Sequence, residues 1–486
     1  MSPVIIISCV IAYSVLLFLI TWFTAKKTDN DTFFLGNKIS PWYVVAYGMI
    51  GASLSGVTFM SVPGWVGDTN FSYLMVIFGY LFGYFVIALV LMPLYYRLNL
   101  TSIYSYLENR FGFRSYKTGA FYFLLSRTIG ASFRMFIVVN VLQTFVFDKW
   151  GMPFWIVVAI FLSLVLLFTF RGGIRTIIWT DTLQTTFMLL AVMLSIYIIS
   201  HDMGIGLSGL LSKVKESHLS KVFFMNWQDK RFFIKQFFSG MFITIVMTGL
   251  DQEMMQKNLS CKNIREAQKN MFTFSFILVI VNAMFLFLGA ILFLYAISKG
   301  VNLPKSSDNI FPTIALNYLG PVAGFVFILG LISAAYPSAD GALTSLTTSF
   351  CVDFLNMNKN DKISNKKKVH IRYAVHISFA ILLLLIIVIF KIINNQAVIS
   401  KLFTVAGYTY GPLLGLYSFG LFTNLKVKDK YVPLICIISP ILCYFFDDYS
   451  KIIFNGYEFG FELLILNGLL TFLGLLLISK KRIESF

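Results

Sequence analysis

Thirteen apolar runs of membrane-crossing length follow one another along this chain, at about 3–25, 41–66, 70–96, 117–147, 152–170, 174–200, 232–257, 268–298, 314–353, 371–393, 399–423, 431–447 and 460–479. A helix rising 1.5 Å per residue needs about 20 residues to cross a hydrocarbon core of about 30 Å. In lipid the backbone must also satisfy its own hydrogen bonds, which leaves helices as the solution for runs of this length. The expected class is therefore an all-α, polytopic membrane protein of about 13 transmembrane helices. A mean hydropathy of +0.79 agrees, as does a composition 58% hydrophobic and only 13% charged, far from that of soluble domains. The first run, Pro3 to Ala25, is too long for a signal-peptide core and has no basic segment before it, so it is expected to remain as a helix.

The net charge of +17 does not point to nucleic acid, because the 39 basic residues sit in short loops between the runs. Sorting them by the thirteen spans, with those near a span end assigned to the adjoining loop, puts 25 on the side of the C-terminal tail and 12 on the other, with only Arg127 and Arg134 deep inside a span. By the positive-inside rule this predicts a multi-pass protein of the cell membrane, a bacterial inner membrane by our reading, with its N-terminus outside and its C-terminus cytoplasmic. Two loops are longer. Residues 201–231, outside, are expected to carry a small amphipathic helix, and 356–368, inside, hold five lysines and read as a solvated connector. No Walker loop, HExxH or GxSxG is present, and the five cysteines lack metal-ligand spacing. An ATP-driven pump or a membrane hydrolase is unsupported, and no enzyme activity is expected.

Polar residues inside spans are expensive and therefore mark sites. The second span, YGMIGASLSGVTFMSVPGWVG, is so rich in Gly and Ser that a break partway across is expected, freeing carbonyls for a cation and amides for a solute. Close helix packing through small residues is the alternative. In the sixth span, RGGIRTIIWTDTLQ leaves Asp181 as an ion-site carboxylate or a helix-end partner of Arg171 or Arg175. The seventh ends GLDQEMMQKN, where Asp251, Gln252, Glu253 and Gln256 also read as an ordinary cytoplasmic helix end. The ninth, LISAAYPSADGALTSLTTSF, carries two polar stripes at helical spacing: Ala334, Ser338, Gly341, Ser345 and Thr348, and beside them Pro337, Asp340, Thr344 and Thr347. Such a helix belongs inside the bundle, with Asp340 either protonated or bound to a cation.

Taken in order, SLSGVTFMSVP, RGGIRTIIWTDTLQ, the DQxxxQK end of the seventh span, the ninth span closing in TTSFCVDF, and GYTYGPLLGL resemble the sodium:solute symporter family from about Asp31 to Phe422. The resemblance implies a LeuT-type fold of two inverted five-helix repeats with broken helices, spans 2–6 and 7–11. It divides the chain into an additional N-terminal helix (1–30), a ten-helix transport core (31–425), and two additional helices with a short cytoplasmic tail (426–486).

The resemblance also implies ligands. One sodium would be held by carbonyls at Gly51 and Leu54 with Ala334 and Ser338; Pro337 stands where the family usually has a first hydroxyl. Members similar to sialic acid carriers add a second sodium, which here would fall to Asp181 and Asp340, with Gly341 where a second serine is usual. Solute contacts are implied at Ser55, Thr58, Asp251, Gln252 and Tyr410. Arg127 and Arg134, seven residues apart on one helix face, either meet a solute carboxylate, as an arginine does in those carriers, or pair with Asp181 and Asp340. The function implied is a sodium-coupled symporter importing a small polar organic solute, an acidic sugar such as sialic acid or another carboxylate. A proton-coupled carrier and a neutral sugar or polyol symporter are the alternatives, ahead of a channel or a transporter-like sensor. Its partners are the solute, one or two sodium ions and membrane lipid, with no organic cofactor and no nucleic acid.

Overall fold

The structure is a computed structural model that describes residues 3–24, 39–357, 364–393 and 398–480. Two of the connector lysines, Lys359 and Lys362, lie outside the described residues. All thirteen expected runs are helical, although length and apolarity alone qualify only nine described helices as spans, or ten when one bent pair is counted. Phe154–Leu167 and Leu463–Leu477 count as shorter apolar helices among the described residues, and Phe233–Gly249 with Gln252–Leu259 is the bent pair. The fifth and sixth runs form one helical stretch, Phe154–Asp202, in which the side chains of Arg171 and Arg175 lie outside the described residues. The 201–231 loop carries the helix Leu207–Glu216, which buries Leu210 and Val214.

The ninth span begins later than the expected residue 314. Ile310–Asn317 is a separate short helix, and the span proper runs Gly320–Ser349. Gly320 accounts for the division. Its φ of 82° is a left-handed value that glycine adopts without strain, and Pro321 then starts the new helix in its first turn, where a missing N–H costs nothing. Every residue from Gly330 to Ser349 is buried. The helix packs on the second, fourth and Phe154–Asp202 helices, so both polar stripes face protein.

Two spans are broken. The second, Trp42–Thr69, loses helical geometry at Ser55, with φ 50° and ψ 174°. The seventh is split into Phe233–Gly249 and Gln252–Leu259, inclined by 65°. Breaking a helix inside a membrane orphans carbonyls that lipid cannot satisfy, and here two tyrosines supply the missing donors. Tyr95 donates to the Gly249 carbonyl at 2.8 Å and Tyr104 to the Leu250 carbonyl at 2.9 Å. Asp251 then starts the second half-helix as its cap, accepting from the Glu253 and Met254 amides at 2.9 and 3.3 Å.

Candidate functional site

The break at Ser55 is pressed against the sixth span. The Gly51 amide donates to Thr185 Oγ1 at 3.0 Å, and that hydroxyl donates to the Asp181 carbonyl at 2.7 Å. A Cβ at Gly51 would lie 2.3 Å from Thr185 Oγ1, so glycine is what permits this approach. Beside it runs the ninth span, where Ser338 Oγ, Thr344 Oγ1 and Asp340 Oδ2 are buried with no hydrogen-bond partner among the described residues. Asp340 Oδ1 accepts the neighbouring Gly341 amide, at 2.6 Å. Pro337 adds an oxygen of its own: lacking an N–H, it leaves the Ser333 carbonyl, four residues back, without its helix bond. The arrangement concentrates neutral and anionic oxygens, the ligand chemistry of a small hard cation.

Electrostatically, the site is organised by a chain of buried charges. Asp181 accepts from Lys257 Nζ at 2.7 Å, and the same ammonium lies 3.4 Å from Glu253 Oε1. Glu253 pairs through its other oxygen with Arg127, whose guanidinium is also 3.9 Å from Asp251. Asp251 in turn accepts from the Tyr410 hydroxyl at 2.8 Å. These side chains are essentially removed from water. Removing one member would strand a buried charge, which costs far more than the pairing contributes. Asp181 thus has a basic partner in Lys257, whereas Arg171 and Arg175, the partners the sequence offered, have side chains outside the described residues. Pairing of both arginines with Asp181 and Asp340 does not occur: Arg127 takes Glu253, and Arg134 has no carboxylate within 4 Å among the described residues.

Arg134 instead faces a cavity between the two breaks. The space is ≈ 80 Å³ to water, and its walls include Ser55, Thr58, Tyr80, Tyr84, Arg127 and Arg134. Four of the expected solute contacts therefore meet in one cavity. Asp251, Gln252 and Tyr410 are not in its wall. Gln252 is committed elsewhere, accepting from the Ile103 amide at 3.0 Å and donating to the Thr101 carbonyl at 2.8 Å. A larger space of ≈ 780 Å³ lies beyond, lined by Trp65, Tyr73, Lys230, Arg231, Lys401 and Phe461 among others. Between the two spaces stands a ring of four aromatics. Centroids are 5.8 Å apart for Trp65 and Tyr73, 6.4 Å for Tyr73 and Phe403, 4.9 Å for Phe403 and Phe461, and 6.0 Å for Phe461 and Trp65. Tyr73 lines both spaces, Phe403 the smaller one, and Trp65 and Phe461 the larger.

Glu253 and Lys257 were missed as site residues because their segment reads as a helix end, and Lys257 was sorted with the loops. Their i, i+4 spacing directly after a Gly-Leu-Asp break was the available signal. Tyr73, Tyr80 and Tyr84 were also missed, although spacings of seven and four put three hydroxyls on one face of an otherwise apolar span.

The family model described as the sodium:solute symporter family matches residues 33–427. Among curated proteins, the sodium/sialic acid symporter NanT of Aliivibrio fischeri is 25% identical over 433 residues, covering 86% of this chain and 82% of that protein. Sodium-coupled monocarboxylate transporter 2 of Mus musculus is 23% identical over 416 residues, covering 82% of this chain and 65% of its own length. A solved structure described as the substrate-bound, outward-open state of a Na+-coupled sialic acid symporter superposes with a TM-score of 0.83 at 20% identity, over 98% of this chain and 99% of that one. The likeness shows the LeuT-type fold, two inverted repeats with broken helices. With the family match covering most of its length, this all-helical, multi-pass membrane protein is a sodium-coupled solute symporter and belongs to the sodium:solute symporter family.

Proposed function

We propose that the chain imports a small carboxylate-bearing solute, an acidic sugar such as sialic acid being the first choice, in company with sodium bound at the break of the second span. The observation that carries this reading is Arg134, a buried guanidinium on the cavity wall with no carboxylate within 4 Å among the described residues. An arginine at the centre of a membrane helix costs about 2.5–3.5 kcal/mol on insertion scales. A position that retains one beside a cavity is suited to an anionic cargo, which guanidinium binds through two parallel hydrogen bonds. Ser55 and Thr58 line the same cavity and offer neutral hydroxyls for the rest of the solute.

In this reading sodium is held by the Gly51 and Leu54 carbonyls, the Ala334 carbonyl and the Ser338 hydroxyl, with the Ser333 carbonyl that Pro337 frees as the replacement for the absent first hydroxyl. Sodium binding favours the form open to the outside, and the loaded carrier then closes the aromatic ring and opens to the cytoplasm. The test is a panel of sialic acids, monocarboxylates and neutral sugars assayed for thermal stabilisation and uptake, each with and without sodium. Sodium-dependent binding confined to acids is expected; a neutral sugar as the sole ligand would remove the carboxylate reading. Proton coupling is the second reading, favoured by the unpartnered Oδ2 of Asp340, and uptake driven by a pH gradient without sodium would establish it.

A further inference from the structure

Asp181 and Asp340 are fully buried carboxylates on packed helices, and Asp340 lies within electrostatic reach of both Asp181 and Lys257. Two such charges draw cations to themselves. One cation is already present as part of the chain. We propose that the Lys257 ammonium is a tethered counter-ion that fills an ion place beside Asp181, so that the carrier binds one sodium fewer than its carboxylates would otherwise demand. The proposal rests on the sodium reading above for the existence of a main ion site.

The ammonium is held from two sides, 2.7 Å from Asp181 Oδ2 and 3.4 Å from Glu253 Oε1. Lys257 itself is 1% exposed, which places it among the buried lysines that persist only when paired. The surroundings are shaped for this arrangement. A Cβ at Gly341 would stand 2.3 Å from Glu253 Oε1, so a side chain beside Asp340 would push the Glu253 carboxylate from its position beside Lys257. Glu253 thus occupies space that a side chain at 341 would need. A lysine in this place has two consequences that a sodium ion does not. It neutralises the carboxylate without a loss of binding entropy from solution, and it is never released, so it contributes nothing to the ion current of a cycle.

The test counts sodium on the full-length protein in detergent, by equilibrium binding of radiolabelled sodium, alongside a sodium titration of the melting temperature. Lys257→Met is expected to bind one more sodium per chain than the wild type, with a steeper sodium dependence, and Lys257→Arg to match the wild type. If Lys257→Met does not fold, Asp181→Asn/Lys257→Met, which removes charge and counter-charge together, is expected to fold and to bind the wild-type number. An unchanged count in Lys257→Met overturns the proposal. A wild type that binds no sodium while Lys257→Met binds one removes the main-site reading and leaves the tethered ion standing; no sodium in either removes both.

Discussion

The Tyr410 hydroxyl donates to Asp251 Oδ2 at 2.8 Å, tying the eleventh span to the residue at which the seventh breaks. Asp251 has two tasks, capping the half-helix with Oδ1 and receiving Tyr410 with Oδ2. Tyr410→Phe leaves the cap but removes a hydrogen bond to a buried carboxylate, worth about 1.5–3 kcal/mol. We expect a lower melting temperature, with the sodium-induced rise in that temperature retained. An unchanged melting temperature would mean that the Asp251 carboxylate is satisfied equally well without the hydroxyl.

Gly341 and Glu253 are expected to be coupled. Gly341→Ser forces a side chain into the space of the Glu253 carboxylate, an overpacking that costs about 1–3 kcal/mol. Glu253→Ala alone strands Arg127 and weakens the hold on Lys257. In the double variant the clash is gone, so the combined loss should be smaller than the sum of the single losses. Strict additivity of the melting shifts would show that the two residues do not share this space.

At the main ion site Ser338 is the test position, because its hydroxyl is buried and unpartnered among the described residues. Ser338→Ala should raise the sodium concentration for half-maximal stabilisation on the order of 10-fold, equivalent to about 1.4 kcal/mol. Ser345 is the control, since its hydroxyl is already bonded back to the Ala342 carbonyl at 3.1 Å. Equal effects from the two substitutions would place the ion elsewhere.

What the sequence disclosed follows from what hydropathy and spacing can sense. The break in the second span was legible because Gly and Ser crowd a stretch that lipid-facing helices would fill with Leu and Ile. The ninth span was legible because its polar stripes leave no face for lipid, a deduction that its burial from Gly330 to Ser349 bears out. The seventh span was not. One glycine precedes its break, and the polar half-helix after it has the composition of a surface helix end, so Glu253 and Lys257 looked solvated although both are buried. Nor does spacing reveal which of several neighbours an ion pair selects: Asp181 pairs with Lys257, 76 residues away in sequence, while Arg127 of the fourth span pairs with Glu253. Gln252 shows the same limit, since helix position alone did not tell that it turns to the Thr101 and Ile103 backbone.

The sharpest division of labour is expected between the two arginines of the fourth span. Both line the cavity, yet Arg127 is engaged with Glu253 and Asp251 while Arg134 has neither acid within 4 Å. Their substitutions should therefore fail differently. Arg134→Lys keeps the charge but loses the planar fork, so affinity for an acidic solute should fall on the order of 10-fold, about 1.4 kcal/mol, while sodium-induced stabilisation stays nearly intact. Arg127→Lys disturbs a buried ion-pair chain that reaches Lys257 and Asp181, so it should lower the melting temperature and alter the sodium response even without solute. The measurements are a solute titration at saturating sodium and a sodium titration without solute, on both variants. Should Arg134→Lys abolish the sodium response while sparing solute affinity, the guanidinium belongs to the ion machinery and the cargo need not be an acid.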